Sequence, residues 1–217
     1  MSLSVSIVDY GAGNLKSVSK ALDYLNINNK VSGKISDIES SDVVILPGVG
    51  AFPDAVKSLK ERKLFDFIKE QASIKPFLGI CLGMQLLFEK GYEFEECKGL
   101  GLIEGYVDKI KFNGLKIPHM GWNNLKMTNP SPIFKNTEEN TFVYFVHSYM
   151  AYTDDKNIDA YVMYGEKVTA AVKNGHIFGT QFHPEKSGDK GIKILQAFIE
   201  YSESFKAGGS HVNTTGN

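Results

Sequence analysis

The sequence predicts an α/β fold with a mostly parallel central sheet flanked by helices. Three observations carry that prediction. Strand-like and helical patterns alternate through roughly the first 90 residues, the signature of βα units. Two runs, DVVIL at 42–46 and PFLGI at 76–80, are apolar without interruption, as suits strands covered on both faces. Each of these runs leads directly into a glycine-containing turn and then a helical pattern.

The elements follow in order. SVSIVD at 4–9 reads as a strand, and YGAGN at 10–14 as the loop after it. A helix follows from Leu15 to Leu25, with Leu15, Val18, Leu22 and Leu25 on one face. The strand at 42–46 ends in PGVG at 47–50, and a helical pattern covers 53–71. The strand at 76–80 runs into CLGMQLLFE, read as a helix. The second half changes character. Residues 107–112, 142–146, 160–164 and 169–182 are strand-like, with Asn174-Gly175 as a hairpin signal inside the last run. These are expected to add a small antiparallel sheet. A last helix is expected from Asp189 to Phe205. The expected domain is therefore 1–205, with 206–217 as a polar C-terminal tail or expression remnant.

Composition excludes several classes of function. The 217 residues carry 24 Lys+Arg against 25 Asp+Glu, with no long block of one sign, so binding to nucleic acid through a strong basic field is not expected. Two cysteines cannot form a disulfide scaffold. No apolar run approaches the ~20 residues of a membrane helix, and Asp9 interrupts the N-terminal stretch where a signal peptide would continue. A cytoplasmic, reduced protein is expected, in which a free thiol can persist. No metal or cofactor is expected.

The chemistry starts at Gly79-Ile80-Cys81-Leu82-Gly83. A nucleophile on a sharp strand-to-helix turn needs small residues two positions away on either side, and Cys81 has both. The helix start favours a thiolate, and the Leu82 N–H points toward the place where an oxyanion would form. Cys97 lacks this setting and reads as structural. A thiol nucleophile needs a base and the base an orienter. His183-Pro184-Glu185 supplies both at the end of a strand, with Pro184 interrupting the extended chain so that the two side chains can converge. The remaining histidines, His119, His147, His176 and His211, have no acid in that position. Pro47-Gly48-Val49-Gly50 ends another buried strand, and the Val49 N–H is a natural second oxyanion donor.

Taken together, PGVG, GICLGMQ and FHPE resemble the class I, or triad-type, glutamine amidotransferases. The opening IVDYGAGNL, IPHMGWNNL at 117–125, FVHSY at 145–149 and HPEKSG at 183–188 narrow the resemblance to the glutaminase subunits of imidazole glycerol phosphate synthases, over about residues 5–200. The resemblance implies the single-domain, flavodoxin-like amidotransferase fold. It implies glutamine as substrate, hydrolysed through a cysteine thioester, and a heterodimer with a (β/α)8 barrel cyclase subunit that takes up the ammonia in histidine biosynthesis. It further implies substrate contacts from Gly48, Gly50, Gln85, Glu93, Ser148, Tyr149 and Met150, and a partner face that includes Asn14, Trp122, Asn123, Tyr144 and Lys186. Two other enzymatic readings stand beside it. One is a paralogous glutaminase subunit supplying ammonia for surface-sugar amidation. The other is a stand-alone Cys-His-Glu hydrolase.

Overall fold

The computed structural model describes residues 3–111 and 114–209. Among them are fourteen strands and six α-helices. The strands are β1 (Ser4–Val8), β2 (Asn28–Ser32), β3 (Val43–Gly48), β4 (Phe77–Cys81), β5 (Phe88–Gly91), β6 (Cys97–Lys98), β7 (Ile103–Lys109), β8 (His119–Asn124), β9 (Lys126–Met127), β10 (Phe142–His147), β11 (Tyr149–Tyr152), β12 (Ile158–Tyr164), β13 (Glu166–Asn174) and β14 (Ile177–Thr180). The helices are α1 (Leu15–Tyr24), α2 (Ile35–Glu39), α3 (Phe52–Glu61), α4 (Phe65–Ile74), α5 (Leu82–Gln85) and α6 (Gly188–Gly209).

The central sheet has eight strands in the order β2-β1-β3-β4-β14-β13-β12-β9. The first five are parallel to one another, and the last three continue the sheet antiparallel. Helices cover both faces, as the uninterrupted apolar strands require. In β3, Val43 and Ile45 face one core with Val18, Leu22, Leu195 and Phe198 of α1 and α6. Val44 and Leu46 face the other, with Val56, Leu59 and Ile68 of α3 and α4. Full burial of each such side chain contributes about 2 kcal/mol, so a strand that feeds two cores is strongly fixed in register. That register pairs Gly48 with Cys81 across β3 and β4 and brings both reactive turns to one rim.

The small antiparallel component is a two-stranded sheet of β8 and β10. A further four-stranded sheet, β11-β7-β5-β6, is mixed, because β5 and β7 run parallel. The predicted hairpin at Asn174-Gly175 joins β13 to β14.

Four sequence expectations are corrected. The helical pattern at 53–71 is two helices, broken where Lys63 adopts a φ of 60°. No glycine marks that reversal, so the sequence gives no stop signal. The helix read into CLGMQLLFE is a single turn, and Phe88 already pairs with Ile103 in the mixed sheet. A short apolar run such as LLF fits a buried strand as well as a helix. The strand expected at 107–112 ends at Lys109, and Phe112 lies outside the described residues. The last helix continues past Phe205 to Gly209, while 210–217 lie outside the described residues.

Candidate active site

The two glycines around Cys81 are there for backbone approach. A Cβ on Gly83 would stand 1.7 Å from the Leu46 carbonyl oxygen, and one on Gly79 would stand 2.6 Å from the Gly83 oxygen. Because these contacts are so close, β4 turns into α5 within one residue. Cys81 takes up the turn with φ 56° and ψ −111°, a conformation that costs an L-residue about 1–3 kcal/mol. The thiol is thereby held at the rim, where the first peptide N–H groups of α5 have no partner within the helix.

Beyond β14 the chain bends at Gln181 and Phe182 and is tied by two backbone bonds, Gln181 N donating to Ala170 O and His183 N to Tyr144 O. Pro184–Lys186 then forms one 3-10 turn. The turn swings Glu185 back, so that the Nδ1 of His183 meets Glu185 Oε1 at 2.8 Å. Both side chains are almost wholly buried. With Nδ1 occupied, His183 presents Nε2 to the Cys81 sulfur. Nε2 has no hydrogen-bond partner of good geometry, yet the sulfur is close enough to act on the ring's titration. Burial pulls the His183 pKa down, but Cys81 and Glu185 outweigh it and raise it to about 9. An imidazolium between a sulfur and a carboxylate is what a thiolate nucleophile with an oriented acid-base partner requires.

Cys81 and His183 line a cleft of about 350 Å³ together with Val49, Gly50, Leu82, Gln85, Glu93, Ser148 and Tyr149, and Glu185 stands behind His183. Gln85 is buried rather than solvent-facing, and its Nε2 donates to Tyr149 O and to Gln181 Oε1, both at 3.0 Å. Glu93 Oε2 accepts from Phe52 N at 2.8 Å and so holds the start of α3. Burial raises its pKa, the Phe52 N–H opposes that, and Asp54 adds to the rise. Gly48 is buried where it pairs with Cys81 across β3 and β4, and it is not among the cleft-lining residues. Met150, by contrast, is not among the cleft-lining residues, and its side chain packs into the core.

The residues carried over as a partner face lie elsewhere. Trp122 is 56% exposed and meets Tyr144 edge to face, directly opposite it on β8 and β10. Met120 and Phe142 are exposed on the same pair of strands. Asn123 donates to Met163 O, Asn14 begins α1, and Lys186 is exposed after the triad turn.

Sequence reasoning missed two groups. Gln181 donates from Nε2 to the Cys81 sulfur at 3.7 Å. No local pattern announces this contact, which spans a hundred positions and lies where the backbone bends at Gln181 and Phe182. His147 lines the cleft and belongs to a buried chain. Asn123 Nδ2 donates to His119, His119 Nδ1 to His147 Nε2, and His147 Nδ1 to Tyr149 O. Burial holds His119 at a pKa of about 4. Burial also dominates at His147, lowering it to about 3 against the contrary pull of the Tyr149 carbonyl. Both rings are neutral near pH 7, which leaves His183 as the imidazolium of the cleft.

The family model "Glutamine amidotransferase class-I" matches residues 6–201. The chain belongs to the class I glutamine amidotransferase family. As an amidotransferase it is similar to an imidazole glycerol phosphate synthase subunit HisH of Lactococcus lactis, 50% identical over 198 residues, 90% of this chain and 98% of that protein. The HisH subunit of Bacillus cereus is 47% identical over 204 residues, 94% of this chain and 97% of that one. Among solved structures, PurLQS from Thermotoga maritima superposes with a TM-score of 0.72 at 23% identity, covering 93% of this amidotransferase and 99% of that chain, a likeness of fold.

Proposed function

We propose that this amidotransferase is the glutaminase subunit of an imidazole glycerol phosphate synthase. It hydrolyses glutamine through a Cys81 thioester and passes ammonia to a (β/α)8 barrel cyclase subunit. The observation that carries the reading is the convergence of a strained cysteine and a buried His183–Glu185 pair on one cleft. The HisH relatives, nearly full length and about half identical, support the narrower assignment.

The reaction follows from the groups present. The Cys81 thiolate attacks the carboxamide carbon. The Val49 and Leu82 N–H groups receive the oxyanion, a contribution of about 3 kcal/mol per donor. The His183 imidazolium gives its proton to the departing nitrogen, and ammonia leaves with a thioester behind it. His183 Nε2, now neutral, takes a proton from water as the water attacks the thioester. Collapse releases glutamate and restores the thiolate–imidazolium pair. Glu185 keeps the ring in one orientation and stabilises its charge throughout.

Glu93, its charge partly desolvated, faces the substrate's ammonium. The main chain at Ser148–Met150, with Gly50 and Gln85, cradles the rest of the amino-acid end. The cleft lining includes Val146 of β10, the strand that carries Tyr144, and Pro118, which immediately precedes β8, the strand of Trp122. Exposed Trp122, edge to face with half-buried Tyr144, is well placed to seat a partner, because such residues dominate interface energetics. Asn14, Asn123 and Lys186 complete that face. In the complex, ammonia travels uncharged, away from bulk water.

The test is reconstitution. Mixed with a barrel cyclase subunit and its nucleotide substrate, the chain should yield imidazole glycerol phosphate from glutamine. Formation of an amidated sugar, or rapid glutamine hydrolysis by the isolated chain with no response to the partner, contradicts the assignment.

A further inference from the structure

The helix after Cys81 is one turn long, so few peptide dipoles add up behind the sulfur. Another donor reaches it. The Gln181 side chain is fully buried, with Nε2 3.7 Å from Cys81 Sγ. The identity of that atom follows from its neighbours. The Tyr149 carbonyl can only accept, so Gln85 must present its NH2 there at 3.0 Å. The same NH2 meets Gln181 at 3.0 Å, and the Gln181 atom that faces an N–H must be the oxygen. The Gln181 NH2 is therefore turned to the sulfur. A backbone carbonyl fixes two amides in series, and the last one offers Cys81 a donor.

We propose that Gln181 is a catalytic residue whose side-chain amide donates a hydrogen bond to Cys81 Sγ and favours thiolate over thiol, with Gln85 as the positioning residue that keeps it in donor orientation. The other groups facing the sulfur come from four different elements. His183 follows β14 and carries Glu185 behind it. Tyr10 follows β1, and burial, reinforced by Cys81, keeps its hydroxyl protonated. Glu93 follows β5 and lines the same cleft, as does neutral His147 of β10. Gln181 donates a neutral N–H to Sγ at 3.7 Å, beside the His183 ring whose titration the sulfur raises. An amide stabilises the anion without competing for its proton. The imidazolium thus stays available for the leaving nitrogen.

The inference rests on the proposed function only for the role of Cys81 as nucleophile. Its test uses no glutamine. In a Cys97→Ala background of the full chain, the rate of Cys81 alkylation by iodoacetamide is followed against pH by mass spectrometry. In Gln181→Met the midpoint of that profile should rise by about one pH unit, a tenfold loss of thiolate on the acid limb, with the alkaline plateau retained. In Gln181→Glu, where a carboxylate replaces the donor, it should rise further. An unchanged midpoint in either folded variant overturns the proposal and leaves the glutaminase reading standing. Loss of the glutaminase reading, through an active Cys81→Ala protein, leaves the alkylation result interpretable. Should neither variant fold, the wild-type chain decides by NMR. The Gln181 side-chain amide protons should shift through the same midpoint and stop titrating after alkylation. No response of that amide overturns the proposal.

Discussion

Glu185 Oε1 lies 2.8 Å from His183 Nδ1, and the pair sits beside Cys81 almost out of reach of water. A charge-assisted bond in such a place both orients the ring and holds its proton. Glu185→Gln keeps the shape and loses the charge. Glutaminase kcat should fall about 100-fold or more, with KM little changed. Steady-state kinetics checks this, and an unaffected kcat shows that the carboxylate is only structural.

The alkaline limb of activity follows from the same ring. Its pKa is raised from 6.5 to about 9 in the folded protein. The stability this provides is fully present below about pH 6.5 and is lost as pH rises through about 9. The urea midpoint of wild type should therefore drop toward that of His183→Gln between those values. Glutamine hydrolysis should fall only as pH passes about 9, because the leaving nitrogen then loses its acid. Parallel pH series of both proteins test the relation.

The acid limb has a different origin. His119 and His147 are held neutral down to about pH 4 and pH 3, while in the unfolded chain they take up protons near 6.5. The unfolded state binds more protons below pH 6.5, so stability should fall as pH drops from 6.5 toward 4, by up to about 1.4 kcal/mol per unit for each ring. His119→Gln should show a shallower slope in urea melts across that range. An equal slope assigns acid sensitivity to other groups.

Backbone strain at the elbow gives a stability prediction of opposite sign to its effect on activity. Cys81→Gly should be more stable than Cys81→Ala by about 1 kcal/mol, since glycine adopts φ 56° freely. Both should lack glutaminase activity. Gly83→Ala should fail to form the elbow at all, because its Cβ would run into the Leu46 carbonyl. Thermal melts of the three variants order them.

Much of the site was legible because its chemistry depends on local sequence. Gly79, Cys81 and Gly83 announce their turn, and Pro184 announces the swing that joins His183 to Glu185. The parallel core was legible from runs such as Val43–Leu46 with no polar face. What escaped reading depends on long-range pairing. The short strands Asn28–Ser32 and Tyr149–Tyr152 carry little pattern of their own and exist through their neighbours. The short α5 was hidden because Leu86, Leu87 and Phe88 satisfy either a helix or a strand. The bond from Gln181 to Cys81 spans a hundred positions of sequence and follows from the pairing of β14 with β4.

Exposed Trp122, packed against half-buried Tyr144, bears on partner binding alone. Trp122→Ala should weaken association with a barrel cyclase by about 2 kcal/mol or more while leaving the isolated chain's melting temperature within about 2 °C. Calorimetric titration and a thermal melt separate the two effects.

The most direct test of a Cys81 nucleophile is covalent. The chain, with its barrel partner and nucleotide present, is incubated with a diazoketone analogue of glutamine, and the adduct is located by peptide mass spectrometry. The expected result is stoichiometric label on Cys81, none on Cys97, and protection by glutamine. Label on Cys97 or another side chain, with Cys81 left free in the folded protein, would contradict the proposed chemistry.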